Sequence, residues 1–123
     1  MDVLSGRRIL IVDDHPDTLD MLGQACEAGG AKPVTALSAR EALALAQADA
    51  PDVVLTDIGL RGEDGVWLLG ELRRVLPSVP VIALTGRSPE PALAAGFDAV
   101  LLKPTDPWQL HDQLRQVLGG ERG

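Results

Sequence analysis

Aromatic side chains are almost missing from this chain. Trp67, Phe97 and Trp108 are the only ones in 123 residues, and tyrosine is absent. The length allows one domain with a real core, which must therefore be aliphatic, built from Leu, Val, Ile and Ala. Cysteine is nearly absent as well. The single Cys26 excludes an internal disulfide and any cysteine-cluster metal site, and it suits a reducing compartment. Positive charge is in the minority: 11 Lys and Arg against 18 Asp and Glu leave a formal charge of −7, which argues against a nucleic-acid surface. No apolar run approaches the roughly 20 residues that a membrane helix needs, and Met1–Arg8 lacks the apolar segment of a signal peptide. These absences lead to the expectation of one domain over residues 1–123, core about 8–118, in the cytoplasm, with neither membrane nor nucleic acid as partner.

Short apolar runs are present instead, and each ends in a polar residue. Ile9-Leu10-Ile11-Val12 leads into Asp13-Asp14, and Val53-Val54-Leu55-Thr56 leads into Asp57. Continuous β-branched and aliphatic runs of this length read as strands buried on both faces. Val79–Thr85 and Ala99–Lys103 read the same way, while Pro33–Leu37 is weaker and belongs nearer an edge because of its proline. Helical patterns separate the runs. Pro16 opens the first, with Leu19, Leu22 and Cys26 on one face and Gly29-Gly30 as the stop. Ser38-Ala39-Arg40-Glu41 matches a capping box, followed by a stripe of Ala39, Ala42, Leu43 and Ala46 and closed by Pro51. Asp64 is placed to cap a third helix with Leu69, Leu72 and Leu76 inward, ended by Pro77. Pro89 and Pro91 fit only within a first turn, so the fourth helix, stopped by Gly96, is shorter than about two turns. Asp106-Pro107 caps the last, with Leu110, Leu114, Val117 and Leu118 inward. Five strand–helix repeats predict an α/β fold with a doubly wound parallel sheet.

In such a sheet the C-terminal strand ends share one edge, where ligands bind. Asp13, Asp14, Asp57, Thr85 and Lys103 all fall there. Carboxylates crowded in one cleft repel each other, and a hard divalent cation relieves that cost. A metal beside Asp57 neutralises an incoming phosphoryl group and leaves the carboxylate as nucleophile. Lys103 supplies a second positive charge, and Thr85 a hydroxyl for a phosphoryl oxygen. Any one of these residues alone is better read as a helix cap or a routine ion pair; Asp14, for one, is placed to cap the helix at Pro16. All five at strand ends is a different matter.

Several segments, in order, carry a resemblance: I-L-I-V-D-D at 9–14, D-V-V-L-T-D at 52–57, D-G at 64–65, V-I-A-L-T-G at 81–86 and A-G-F-D-A-V-L-L-K-P at 95–104. The chain resembles a receiver domain of the two-component response-regulator family, of the chemotaxis-regulator kind. The resemblance implies a flavodoxin-like five-stranded sheet, order 2-1-3-4-5, and Asp57 as phosphoacceptor. It implies Asp13, Asp14, Asp57 and the Gly59 carbonyl as ligands of Mg²⁺ or Mn²⁺, Thr85 as switch hydroxyl and Lys103 as phosphate contact. It further implies a cis bond between Lys103 and Pro104, and Gly59 and Arg87 as residues that tune phosphoryl lifetime. Partners would be a histidine kinase or histidine phosphotransfer protein and an unnamed downstream protein.

The chain departs from the family in places. Val100 stands where the family carries the aromatic or His that turns inward with the switch hydroxyl. The segment between Gly86 and Ala95 is short by about one helical turn, ~4 residues, which alters the usual output face. Arg61 replaces the proline common after the phosphoacceptor. Two other readings stand beside the first. A receiver-like interaction module with a weak or absent switch accommodates Val100 and the short helix. An aspartyl-phosphate hydrolase would want a second acid two residues after the nucleophile, where this chain has Gly59. His15 and His111 lack the spacing of a metal pair; His15 borders the acidic pair, where it could line the pocket, but reads first as a loop residue before a helix. Cys26 reads as core, and Trp67 and Trp108 as covers at the sheet rim.

Overall fold

The computed structural model describes residues 3–59, 64–86 and 88–119. Arg61 and Arg87, singled out above, lie outside them. Five strands alternate with five helices: β1 (Arg8–Val12), α1 (Pro16–Ala28), β2 (Lys32–Ala36), α2 (Ala39–Ala48), β3 (Val53–Asp57), α3 (Asp64–Val75), β4 (Val81–Thr85), α4 (Glu90–Ala95), β5 (Ala99–Leu102) and α5 (Pro107–Leu118). All pairings are parallel and the order is β2-β1-β3-β4-β5. The doubly wound α/β fold expected from the alternation is therefore present, with β3 in the middle and the proline-bearing β2 at an edge.

Residues alternate between the two faces along each strand, and the two cores follow from that. Ile9, Ile11, Val53, Leu55, Ile82 and Leu84 pack under α1 and α5 with Leu19, Leu22, Cys26, Leu110 and Leu114. Leu10, Val12, Val54, Val81 and Ala83 pack on the other face under α2, α3 and α4 with Ala42, Ala46, Leu68, Leu72 and Ala92. The interior is aliphatic, as the scarcity of aromatics requires; Phe97 is the one buried ring among the described residues.

Local expectations fare unevenly. α4 has six residues and closes on Gly96 at φ +107°, so the short fourth helix is real. Asp106 caps α5 with a full capping box, Gln109 answering its N–H. At α2 only half a box forms: Ser38 Oγ accepts from Glu41 N, but the Glu41 carboxylate takes the Leu37 N–H instead. β4 starts at Val81 rather than Val79, and β5 ends at Leu102, with Lys103 just beyond it. The α3 stripe includes Leu68, fully buried and not anticipated, whereas Leu76 lies past the helix end and is half-buried. α3 begins at Asp64 itself, whose side chain is outside the described set. Trp67 does cover core, with the Arg40 guanidinium 4.7 Å above its ring. Trp108 does not: it is 82% exposed, because it sits two residues before Leu110 and so about 200° around α5 from the buried face.

Candidate functional site

Four strand ends deliver their polar residues to one notch. Asp13 follows β1 and is fully buried; its N–H donates to Ala36 O at the end of β2, which holds the turn into α1. Asp57 ends β3 with its side chain 13% exposed, and one carboxylate oxygen accepts from Gly59 N at 3.1 Å. Thr85 ends β4 and is buried. Lys103 N donates to Thr85 O at 2.7 Å, so the register of β5 against β4 sets where the lysine leaves the sheet. The Lys103–Pro104 peptide bond is cis.

Lys103 is the hinge of the electrostatics. Its Nζ lies 2.9 Å from Asp13 Oδ2 and 3.3 Å from Asp57 Oδ2. Burial works to lower the lysine pKa, but the Asp13 hydrogen bond and the charges of Asp57 and Asp13 outweigh it and hold it above its usual value. Burial likewise works to raise the Asp13 carboxyl; hydrogen bonds from Lys103 and His15 outweigh that and hold it below the ordinary range. The pair thus stays ionised at neutral pH.

Asp13, Asp14, His15 and Asp57 each offer one ligand atom, all within 4.8 Å of one another. Three carboxylates in that space form an oxygen-rich set that fits a hard divalent cation. Asp14 does not cap α1: the cap residue is His15, and its side chain makes no capping bond. The imidazole turns instead to the acids, Nδ1 standing 3.0 Å from an oxygen of each. This is the residue that sequence reasoning set aside as a loop position. The signal was available, since His15 directly follows two carboxylates at a strand end.

Acids at the opposite edge of the sheet behave differently. Asp52 accepts from Arg8 N, and Asp98 from Val81 N and Arg73, so both tie strand starts together. Val100 lies opposite Ala83 and is half-buried on the α2–α4 face. Gly65 has a role that its motif alone did not reveal. A Cβ there would stand 2.6 Å from Asp57 O and 2.7 Å from Ile58 Cα, so only glycine lets α3 start against the backbone carrying Asp57.

With this geometry in hand, comparison with known proteins is decisive. The family model for the response regulator receiver domain matches residues 9–115. The chain belongs to the response-regulator receiver family. This receiver domain is 39% identical over 117 residues to a 14.6 kDa protein encoded in the sodA1 3' region of Leptolyngbya boryana, covering 89% of this chain and 88% of that one. It is 35% identical over 114 residues to the transcriptional regulatory protein GlrR of Escherichia coli (strain K12), covering 89% of this chain but only 26% of GlrR. Among solved structures, a CheY-like receiver domain protein from Methanospirillum hungatei JF-1 superposes with a TM-score of 0.86 at 34% identity, covering 94% of this chain and 95% of that one. The receiver is thus a two-component signalling domain of the flavodoxin-like, CheY-like kind. Among the described residues no helix is long and apolar enough to cross a membrane.

Proposed function

We propose that this receiver accepts a phosphoryl group on Asp57 from the phosphohistidine of a histidine kinase or histidine phosphotransfer protein. The observation that carries the reading is Lys103 Nζ bridging Asp13 and Asp57 at 2.9 and 3.3 Å in the notch where the strands end. An Asp57 oxygen attacks phosphorus, a P–O bond forms, the P–N bond breaks, and the imidazole leaves with its electron pair. Lys103 then shifts from the carboxylate toward the phosphoryl oxygens that replace it, and the Thr85 hydroxyl donates to another. Asp13, Asp14, Asp57 and the Gly59 carbonyl would hold Mg²⁺ or Mn²⁺, which supplies charge neutralisation at the phosphoryl group when bound. Gly59 leaves the face above Asp57 open to water, and with Arg87 it sets the lifetime of the acyl phosphate. The domain promotes its own phosphorylation and dephosphorylation rather than turning over a free substrate, and acts in the cytoplasm on a downstream protein. Val100 carries no ring, so the Thr85 movement is read out by repacking of β4, β5 and the short α4.

The alternative, an interaction module without phosphorylation, is not favoured. Such a module has no use for three clustered carboxylates and a lysine, whose mutual desolvation costs stability. The test is incubation with phosphoramidate and Mg²⁺, followed by mass spectrometry. The wild type should gain one phosphoryl group and Asp57→Asn none; equal labelling of the two would remove Asp57 from the role.

A further inference from the structure

We infer that His15 is a metal ligand through Nδ1 and that it biases this site toward a transition ion such as Mn²⁺ over Mg²⁺. The inference rests on the divalent-cation reading of the acidic cluster and goes beyond it by adding a nitrogen to an all-oxygen set. The spacing carries the argument. Nδ1 lies 3.0 Å from Asp13 Oδ1 and 3.0 Å from Asp14 Oδ1. An octahedral ion with bonds of about 2.0–2.1 Å has neighbouring ligands roughly 3.0 Å apart. The imidazole nitrogen and the two carboxylate oxygens therefore stand at the separations of ligands sharing one ion, and an oxygen of Asp57 completes the group within 4.8 Å.

The ring is held there by the chain. The His15 N–H donates to the same Asp13 oxygen at 2.9 Å, and Pro16 begins α1 at the next residue, so the backbone on both sides of the ring is fixed. Without an ion the ring engages the acids themselves, Nδ1 lying at hydrogen-bond distance from Asp13 Oδ1. The side chain is 70% exposed and makes no capping bond, so neither core packing nor helix capping accounts for the identity of the residue. His111, the other imidazole, is engaged with Ala25 O between α1 and α5. Ligand chemistry then sets the direction of the bias. Imidazole suits Zn, Cu, Fe and Ni best and is a weaker ligand for Mn²⁺, which also takes oxygen, whereas Mg²⁺ takes oxygen ligands and keeps its water. His15 strengthens binding of the transition ions and adds little for Mg²⁺.

The experiment loads the full chain with Mn²⁺ and records electron spin echo envelope modulation. The wild type should show imidazole ¹⁴N coupling, which His15→Ala loses and His111→Ala keeps. In competition titrations His15→Ala should bind Mn²⁺ about tenfold more weakly, with Mg²⁺ affinity unchanged. Bound Mn²⁺ without ¹⁴N coupling in the wild type, or coupling that survives in His15→Ala, overturns the role of His15 while leaving the cation reading intact. Failure of both ions to bind the wild type overturns both readings. The wild-type spectrum alone decides the point if a variant folds poorly.

Discussion

The cost of the site is concentrated in single charges. Asp57 stands among Asp13 and Asp14 with the Lys103 ammonium 3.3 Å away. Replacing it with Asn removes two repulsions and one attraction. In EDTA, Asp57→Asn should therefore be more stable than the wild type, by about 1 kcal/mol at the effective dielectric of a half-open cleft, read from urea midpoints. A less stable variant would show that the lysine contact outweighs the repulsion. Lys103→Met should act oppositely, costing about 2–3 kcal/mol at neutral pH because it strands the buried Asp13 carboxylate. The pH dependence follows in sign. Asp13 is held below 3.8 in the folded wild type, so its contribution is complete above that value and fades as pH falls through the folded pKa. Lys103 is held above 10.5, so its contribution is complete below that value and fades as pH rises through the folded pKa. In the variant Asp13 keeps only the His15 hydrogen bonds against the same burial, so its pKa should rise from the wild-type value. The deficit of Lys103→Met should thus be smallest below the folded Asp13 pKa of the wild type, grow as pH rises above it, and shrink again once Lys103 loses its proton above 10.5. A deficit independent of pH across that range would mean that the methylene packing of the lysine, not its charge, is what matters.

Among the elements, the junction of β3 and α3 is the tightest. Gly65 sits where a side-chain carbon would overlap Asp57 O and Ile58. Gly65→Ala should cost more than about 2 kcal/mol, since backbone and not a flexible side chain must yield. It should also slow phosphorylation at Asp57 by shifting its backbone; an alanine variant with normal stability and labelling would sink the close-approach argument. The motif pair Asp64-Gly65 was visible beforehand, but its reason was not, because the close approach of residue 65 to Asp57 and Ile58 is a tertiary contact. The same limit explains the α2 cap. Sequence spacing identified Ser38 and Glu41, yet the Glu41 carboxylate goes to Leu37 N because the chain entering from β2 offers that donor nearer. The shortness of α4 and its stop at Gly96 were legible, as two prolines and a glycine leave room for little more than one turn.

At the scale of the molecule, both cores share one sheet, so opening one face exposes the other. Cys26 reports on this. It is fully buried between α1 and the sheet, and burial, followed by the nearby Glu27 charge, pushes its thiol up to about 12. Labelling by a maleimide should be negligible in native buffer and should appear only along the global urea transition. Labelling well before that transition would mean that α1 detaches alone. The sequence by itself determined the five strand–helix units, the aliphatic interior and the polar identity of four of the five strand ends. Those depend on local periodicity and on which residues stop a strand or helix. Only the tertiary structure decided that Lys103 bridges Asp13 to Asp57, that His15 faces the acids while Trp108 faces solvent, and that position 65 admits no side chain. The first and last are distances across the fold, and the others are set by how a side chain or a helix is turned against its neighbours. The register of a parallel sheet and the packing of its helices set such quantities, and no single segment contains them.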